Sequence, residues 1–147
     1  MATEIQKNLV EKNAEYARAF DKGDLALPPA KKYLVLTCMD ARIDPAAAFG
    51  ISLGDAHVIR NAGASAKDAQ RSIVISEQLL GTREIKQKLG PTAAAELATL
   101  DFLPFPELDA AVKEDVEFLK RSATVPDDVA ISGWVYEVET GKVRQVV

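Results

Sequence analysis

The run Tyr33-Leu34-Val35-Leu36-Thr37-Cys38, continued by Met39-Asp40-Ala41-Arg42-Ile43-Asp44-Pro45, decides the fold. Its first part is a continuous apolar stretch rather than a strict alternation. Such a stretch marks a strand buried on both faces, as in a parallel sheet; a two-faced antiparallel strand would alternate. The strand ends on a thiol, and Asp40 and Arg42 follow it at every second position. In open α/β sheets, sites are built in the loops at the carboxyl ends of strands. The sequence therefore predicts an α/β protein with its chemistry at Cys38.

Working outward from that strand, residues 3–20 read as a helix. Thr3 with Gln6 makes a capping box, and Ile5, Leu9, Tyr16, Ala17 and Phe20 recur at helical spacing. Gly23 ends it, and Pro28-Pro29 is a linker, so residues 1–27 form a helical arm to one domain of residues 1–147. An amphipathic helix of this length either packs on its own sheet or lies across a partner subunit. Ala56 to Arg60 is a second buried strand, ended by Asn61-Ala62-Gly63. Asp68 to Leu80 is a helix stopped by Gly81. A third strand starts at Thr82-Arg83-Glu84-Ile85, but Lys86-Gln87-Lys88-Leu89-Gly90 follows at once and makes a poor buried strand. Thr92 to Leu100 reads as a short helix, Leu103-Pro104-Phe105-Pro106 as a rigid connector and Glu107 to Ser122 as an amphipathic helix. Val129 to Val138 and Val143 to Val147 form a hairpin around Glu139-Thr140-Gly141-Lys142.

Composition removes several functions. The chain is 48% apolar and 27% charged, as ordinary globular proteins are. A net charge of −4 offers no basic face for nucleic acid. No apolar run reaches membrane-spanning length, and Met1 to Asn8 contains no apolar signal core. A single cysteine forms no internal disulfide, which fits a reducing cytoplasm.

Three blocks carry a resemblance: Cys-Met-Asp-Ala-Arg-Ile-Asp-Pro at 38–45, Gly-Asp-Ala-His-Val-Ile-Arg-Asn-Ala-Gly-Ala at 54–64, and Arg-Ser-Ile-Val-Ile-Ser-Glu-Gln-Leu-Leu-Gly-Thr-Arg-Glu-Ile at 71–85. In this order and spacing the chain resembles the β-class carbonic anhydrases, and 102–106 with 131–142 resemble their small, compact members. The resemblance implies a mostly parallel sheet flanked by helices, in a homodimer or a dimer of dimers. It implies zinc held by a cysteine, a histidine and a second cysteine, and reversible hydration of carbon dioxide to bicarbonate. Relatives hydrolyse carbonyl sulfide or carbon disulfide. By position, Cys38 matches the first zinc ligand, Asp40 the aspartate beside the metal, and Arg42 its ion-pair partner.

The departure is as specific as the match. In the family, a strand and loop after the position of Ile85 end in a His-x-x-Cys pair; here Ile85 joins Lys86 directly. One central family strand and both remaining ligands are missing as one block, where point decay would leave a degenerate strand. Catalytic zinc takes three protein ligands and keeps one open position. Cys38, helped by an oxygen of Asp40, supplies two. Cys38 ends its strand while His57 begins the next one, so the two belong to opposite ends of the sheet and His57 is not a substitute. With a metal, Arg42 would hold Asp40 ionised to accept a proton from bound water; without one, the two are an ion pair in a loop. Asn61, Ala62 and Gly63 are either an anion site ahead of a helix or a plain strand-to-helix turn. Zinc is thus expected to be absent or weakly bound, and the chain inactive or strongly impaired. The alternatives are a sulfur-substrate hydrolase and a metal-free structural or partner subunit.

Overall fold

The structure is a computed structural model that describes residues 2–82, 92, 95 and 98–147. The chain divides into two compact units, Leu25–Leu103 and a second made of Met1–Asp24 with Pro104–Val147. The expected third strand from Thr82 falls, beyond Thr82 itself, outside the described residues. Of the expected helix 92–100, the described residues Thr92, Ala95, Ala98 and Thr99 are helical.

The arm helix α1 (Glu4–Arg18) belongs to the second unit. The unit Leu25–Leu103 is built on two parallel strands, β1 (Leu34–Cys38) and β2 (His57–Asn61). Their register pairs Leu34 with His57 and Cys38 with Asn61. Between them lies the short helix α2 (Pro45–Phe49), whose start is fixed locally. The Asp44 carboxylate accepts the N–H groups of Ala46 (3.1 Å) and Ala47 (3.3 Å), and Pro45 sits where a helix loses nothing by lacking an N–H. After β2, a tight turn at Ala62–Ala64 leads to α3 (Gln70–Val74), which widens into a π turn over Ile75–Leu79. Leu80 N–H there bonds to Ile75 O five residues back. Ala69 at the start of this helix is buried, as its apolar spacing predicts.

The second unit is an antiparallel hairpin with helices. Beside α1 it comprises α4 (Leu108–Arg121), β3 (Trp134–Glu137) and β4 (Lys142–Gln145), with Trp134 opposite Gln145. Helix α1 opens on the predicted capping box: Gln6 N–H donates to Thr3 Oγ1 (3.2 Å) and Thr3 N–H to Gln6 Oε1 (2.8 Å). Helix α4 buries Val116, and Gly133 is required beneath it because a Cβ there would collide with Val112 and stand 3.0 Å from Val116. The strands are shorter than the sequence predicts. Gly133 O accepts the N–H groups of both Val146 and Val147, so the regular ladder stops there, and Val129–Ser132 never joins it.

Among the described residues the strands form two separate two-stranded sheets, β1–β2 and β3–β4.

Packing of the arm is decided by a polar residue. Asn13 clamps it to the hairpin of its own unit: its Nδ2 donates to Gly141 O and its Oδ1 accepts from Val143 N–H, both at 2.7 Å. Tyr16 and Phe20, with ring centroids 5.5 Å apart, close over Gly141. Gly141 has φ 68° and no room for a Cβ, which would lie 2.7 Å from Phe20 Cγ. Other apolar positions of the arm stay open: Ile5 is 74% and Leu9 55% exposed.

Asn13→Ala leaves a part-buried carbonyl and N–H unpaired and is expected to cost about 1–3 kcal/mol. Denaturant unfolding followed by the fluorescence of Trp134, the sole tryptophan, measures this. An unchanged midpoint would show that the clamp contributes nothing.

Candidate functional site

The loop after β1 is held by backbone and side-chain bonds from several directions. Met39 N–H donates to Asn61 O (3.0 Å), extending the β1–β2 ladder past Cys38. The Asp40 carboxylate then organises the turn. Its Oδ1 accepts Arg42 N–H (2.9 Å) and Arg42 Nε (3.0 Å), and its Oδ2 accepts Arg42 Nη2 (2.6 Å). Ile43 N–H closes back on Asp40 O (3.0 Å). The Arg42 guanidinium is the main reason the Asp40 carboxyl is held down at about 2 against an ordinary 3.8; its backbone N–H adds to this, and Arg60 contributes a smaller pull. Asp40 is ionised throughout the neutral range and paired two-pronged, the geometry that a fork-shaped guanidinium favours.

From the neighbouring strand, Arg60 reaches across with two donors. Its Nε meets Cys38 O (3.2 Å) and its Nη2 meets Asp40 O (2.8 Å). Spacing in the sequence does not single out Arg60. The signal lies in the register, since Arg60 precedes the residue that pairs with Cys38.

The Asn61–Gly63 segment is closed on itself. Asn61 spends both ends of its amide on Ser65, with Nδ2 donating to Ser65 O (2.9 Å) and Oδ1 accepting Ser65 N–H (2.7 Å). Gly63 and Ala64 both lie in the left-handed region, at φ 68° and 55°. Glycine adopts this freely, whereas for alanine it is a strained position. The helix that follows starts at Gln70, well past this turn.

His57 lies at the far end of the strand pair. Cys38 is opposite Asn61 and His57 opposite Leu34, so four residues of strand separate thiol and imidazole along the sheet. At the usual rise that is about 13 Å. The ring is engaged where it stands: Nδ1 bonds Ser76 Oγ (2.7 Å), and the Ser76 hydroxyl, itself only 3% exposed, also bonds Thr82 Oγ1 (3.0 Å).

A zinc cage does not fit these residues. The chain has one cysteine and one histidine, and the register holds them apart. Both oxygens of Asp40 are occupied by Arg42. Among the described residues no cluster of three or more His, Cys, Asp or Glu side chains could hold a metal ion. The structure brings together Cys38, Asp40 and Arg42, and does not bring His57 to them.

Comparison with known proteins gives this site its context. Residues 33–88 match the family model described as carbonic anhydrase. The chain is 31% identical to β-carbonic anhydrase 1 of Mycobacterium tuberculosis, covering 97% of this chain and 98% of that one. It is 31% identical to a carbon disulfide hydrolase of Acidithiobacillus thiooxidans, over 84% and 81% of the two chains. Among solved structures it resembles a carbonic anhydrase from Glaciozyma antarctica, at 39% identity and a TM-score of 0.53 over 99% of this chain and 100% of the other. A second, from Streptococcus mutans, gives 37% and 0.52 with both chains fully covered. The match to the mycobacterial protein runs over 167 positions against the 147 residues present here, so at least 20 residues of that relative face no counterpart. With its parallel strand pair, its Cys38-x-Asp40-x-Arg42 loop and relatives matched over almost their whole length, the chain belongs to the β-class carbonic anhydrase family.

Proposed function

We propose that this chain keeps the thiol and the Asp40–Arg42 dyad of a carbonic anhydrase but not the means to hold a catalytic zinc. With these 147 residues it is inactive or strongly impaired in the hydration of carbon dioxide, the ancestral reaction, and acts as a metal-free subunit. One observation carries this reading: the parallel register that sets Cys38 and His57 four residues apart. Zinc affinity depends on the number and type of donors, and a lone thiolate beside a carboxylate already held by Arg42 is a sparse set. The residues with no counterpart against the mycobacterial relative support loss of the ligand-bearing segment as a block, and the family-model match ends at residue 88, close to the Ile85–Lys86 junction.

The retained residues have a defined job without metal. Arg42 keeps Asp40 charged and the turn closed, and Cys38 stays a free thiol, half-buried at the strand end. The closure of Asn61 on Ser65 favours a strand-to-helix turn at 61–63 over an anion cradle. The exposed Ile5 and Leu9 support a partner across the arm, in a homodimer or dimer of dimers. Among the described residues no helix is long and apolar enough to cross a membrane, and the free thiol fits a reducing cytoplasm. A second reading, hydrolysis of carbon disulfide or carbonyl sulfide, is supported by the carbon disulfide hydrolase relative. It would need the same metal.

Purified full chain, grown with zinc and of a native mass matching 147 residues per protomer, is expected to carry well under one zinc per chain and to leave carbon dioxide hydration at the buffer rate. One zinc per chain with accelerated hydration overturns the proposal; one zinc with turnover of carbon disulfide alone selects the second reading.

The dyad makes a separate prediction. A carboxyl whose folded value lies below its unfolded one stabilises the fold above the unfolded value and loses that contribution as pH falls through the folded one. For Asp40 the window runs from 3.8 down to about 2. In Arg42→Ala the carboxyl resonance of Asp40 is expected to titrate closer to 3.8, and the acid-side loss of stability in that window to shrink. A wild-type midpoint in the variant contradicts the assignment of Arg42 as the main cause.

A further inference from the structure

We infer that Arg60 is the positioning residue of the Cys38–Asp40 loop, holding the thiol-bearing backbone in place through its bonds to Cys38 O and Asp40 O. The inference concerns the same site as the proposal above and rests on reading Cys38, Asp40 and Arg42 as that site.

A loop that follows a strand has lost its ladder partners, so its carbonyls need other donors or water. Here Cys38 O and Asp40 O, on either side of Met39, take their bonds from one guanidinium at 3.2 and 2.8 Å. Met39 N–H between them is taken by Asn61 O, the residue after Arg60. Two successive residues of β2 therefore grip three successive residues of the loop. Arg60 is suited to this as lysine is not, because a planar fork meets two acceptors at fixed spacing while an ammonium is a single point. Its side of the sheet is exposed, so burial gives it no other evident work. Arg60 also faces Asp40 without competing for its carboxylate, both oxygens of which belong to Arg42. The two arginines divide the aspartate, one on the side chain and one on the backbone.

The consequence is a loop shaped without any metal. The half-buried thiol of Cys38 is held with this backbone, and loosening the loop exposes it further to reagents.

The test uses the full chain with a chelator present, so that zinc binding has no bearing on it. Cys38 is the only cysteine, so the rate of its reaction with Ellman's reagent reports this loop alone. Losing both charge-assisted bonds is expected to raise that rate at least about tenfold in Arg60→Ala. Amide hydrogen exchange is expected to rise at Met39, Arg42 and Ile43 and to stay unchanged along the rest of β1 and β2, with the melting temperature little altered. Arg60→Lys should fall between the two. A wild-type thiol rate and wild-type exchange in Arg60→Ala overturn the inference, as does accelerated exchange spread through both strands, which would mark a general structural role. Should Arg60→Ala fail to fold, Arg60→Lys decides: a faster thiol rate supports the positioning role and an unchanged one refutes it. Discovery of a stoichiometric zinc in wild type would sink the proposed function and leave these readouts intact.

Discussion

The parallel pairing of β1 with β2 is the constraint on which the rest depends. Five residues of each strand are locked in one register, Leu34 to His57 and Cys38 to Asn61. A slip by one would turn every side chain to the opposite face; the alternating exposure along β2 opposes it, and the bonds of His57 N–H to Tyr33 O and Met39 N–H to Asn61 O close the register at both ends. The same pairing that builds the sheet places the sole thiol at one end and the sole imidazole at the other. No side-chain rotation spans about 13 Å of strand. One pairing sets both the sheet and the separation of thiol from imidazole.

What remains at Cys38 is nonetheless ordered. Asp40 accepts one backbone and two side-chain bonds from Arg42, and Arg60 satisfies the carbonyls that flank Met39. The dyad is solvent-facing, so its energetic weight is modest; its effect is on conformation and charge.

Much of this was legible in the sequence, for reasons that differ by element. The continuous apolar run at 33–38 predicts a strand of a parallel sheet, and β1 does pair in parallel with β2, but the expected burial on both faces is not found: β1 is half-buried throughout and β2 exposes Val58 and Arg60; Asn61-Ala62-Gly63 marks the end of β2. Thr3 and Gln6 predict their own capping box because capping is a local interaction. The placement of His57 away from Cys38 follows from strand polarity alone. The bonds that join distant positions were not legible. Nothing in the spacing of His57 and Ser76, 19 residues apart, announces their contact, and the π turn holding Ser76 leaves the apolar spacing of the helix intact. Arg60 reads as part of a motif, but its two carbonyl bonds stay hidden until the register is known. The hairpin strands read too long because Gly133, which turns its carbonyl to two N–H groups at once, looks in sequence like an ordinary strand residue. For the arm, helical spacing leaves two packing partners open, and it is the polar Asn13, outside the apolar pattern, that ties it to its own hairpin.

The register that parts Cys38 from His57 keeps the two out of one ligand sphere. Cadmium-113 NMR of the full chain tests it most directly, because the chemical shift of a bound cadmium reports how many sulfur and nitrogen donors it has. No slowly exchanging resonance of mixed thiolate and imidazole character is expected, and the ring signals of His57 should be unmoved by the metal. A sharp cadmium resonance coupled to both the Cys38 methylene and the His57 ring would contradict it.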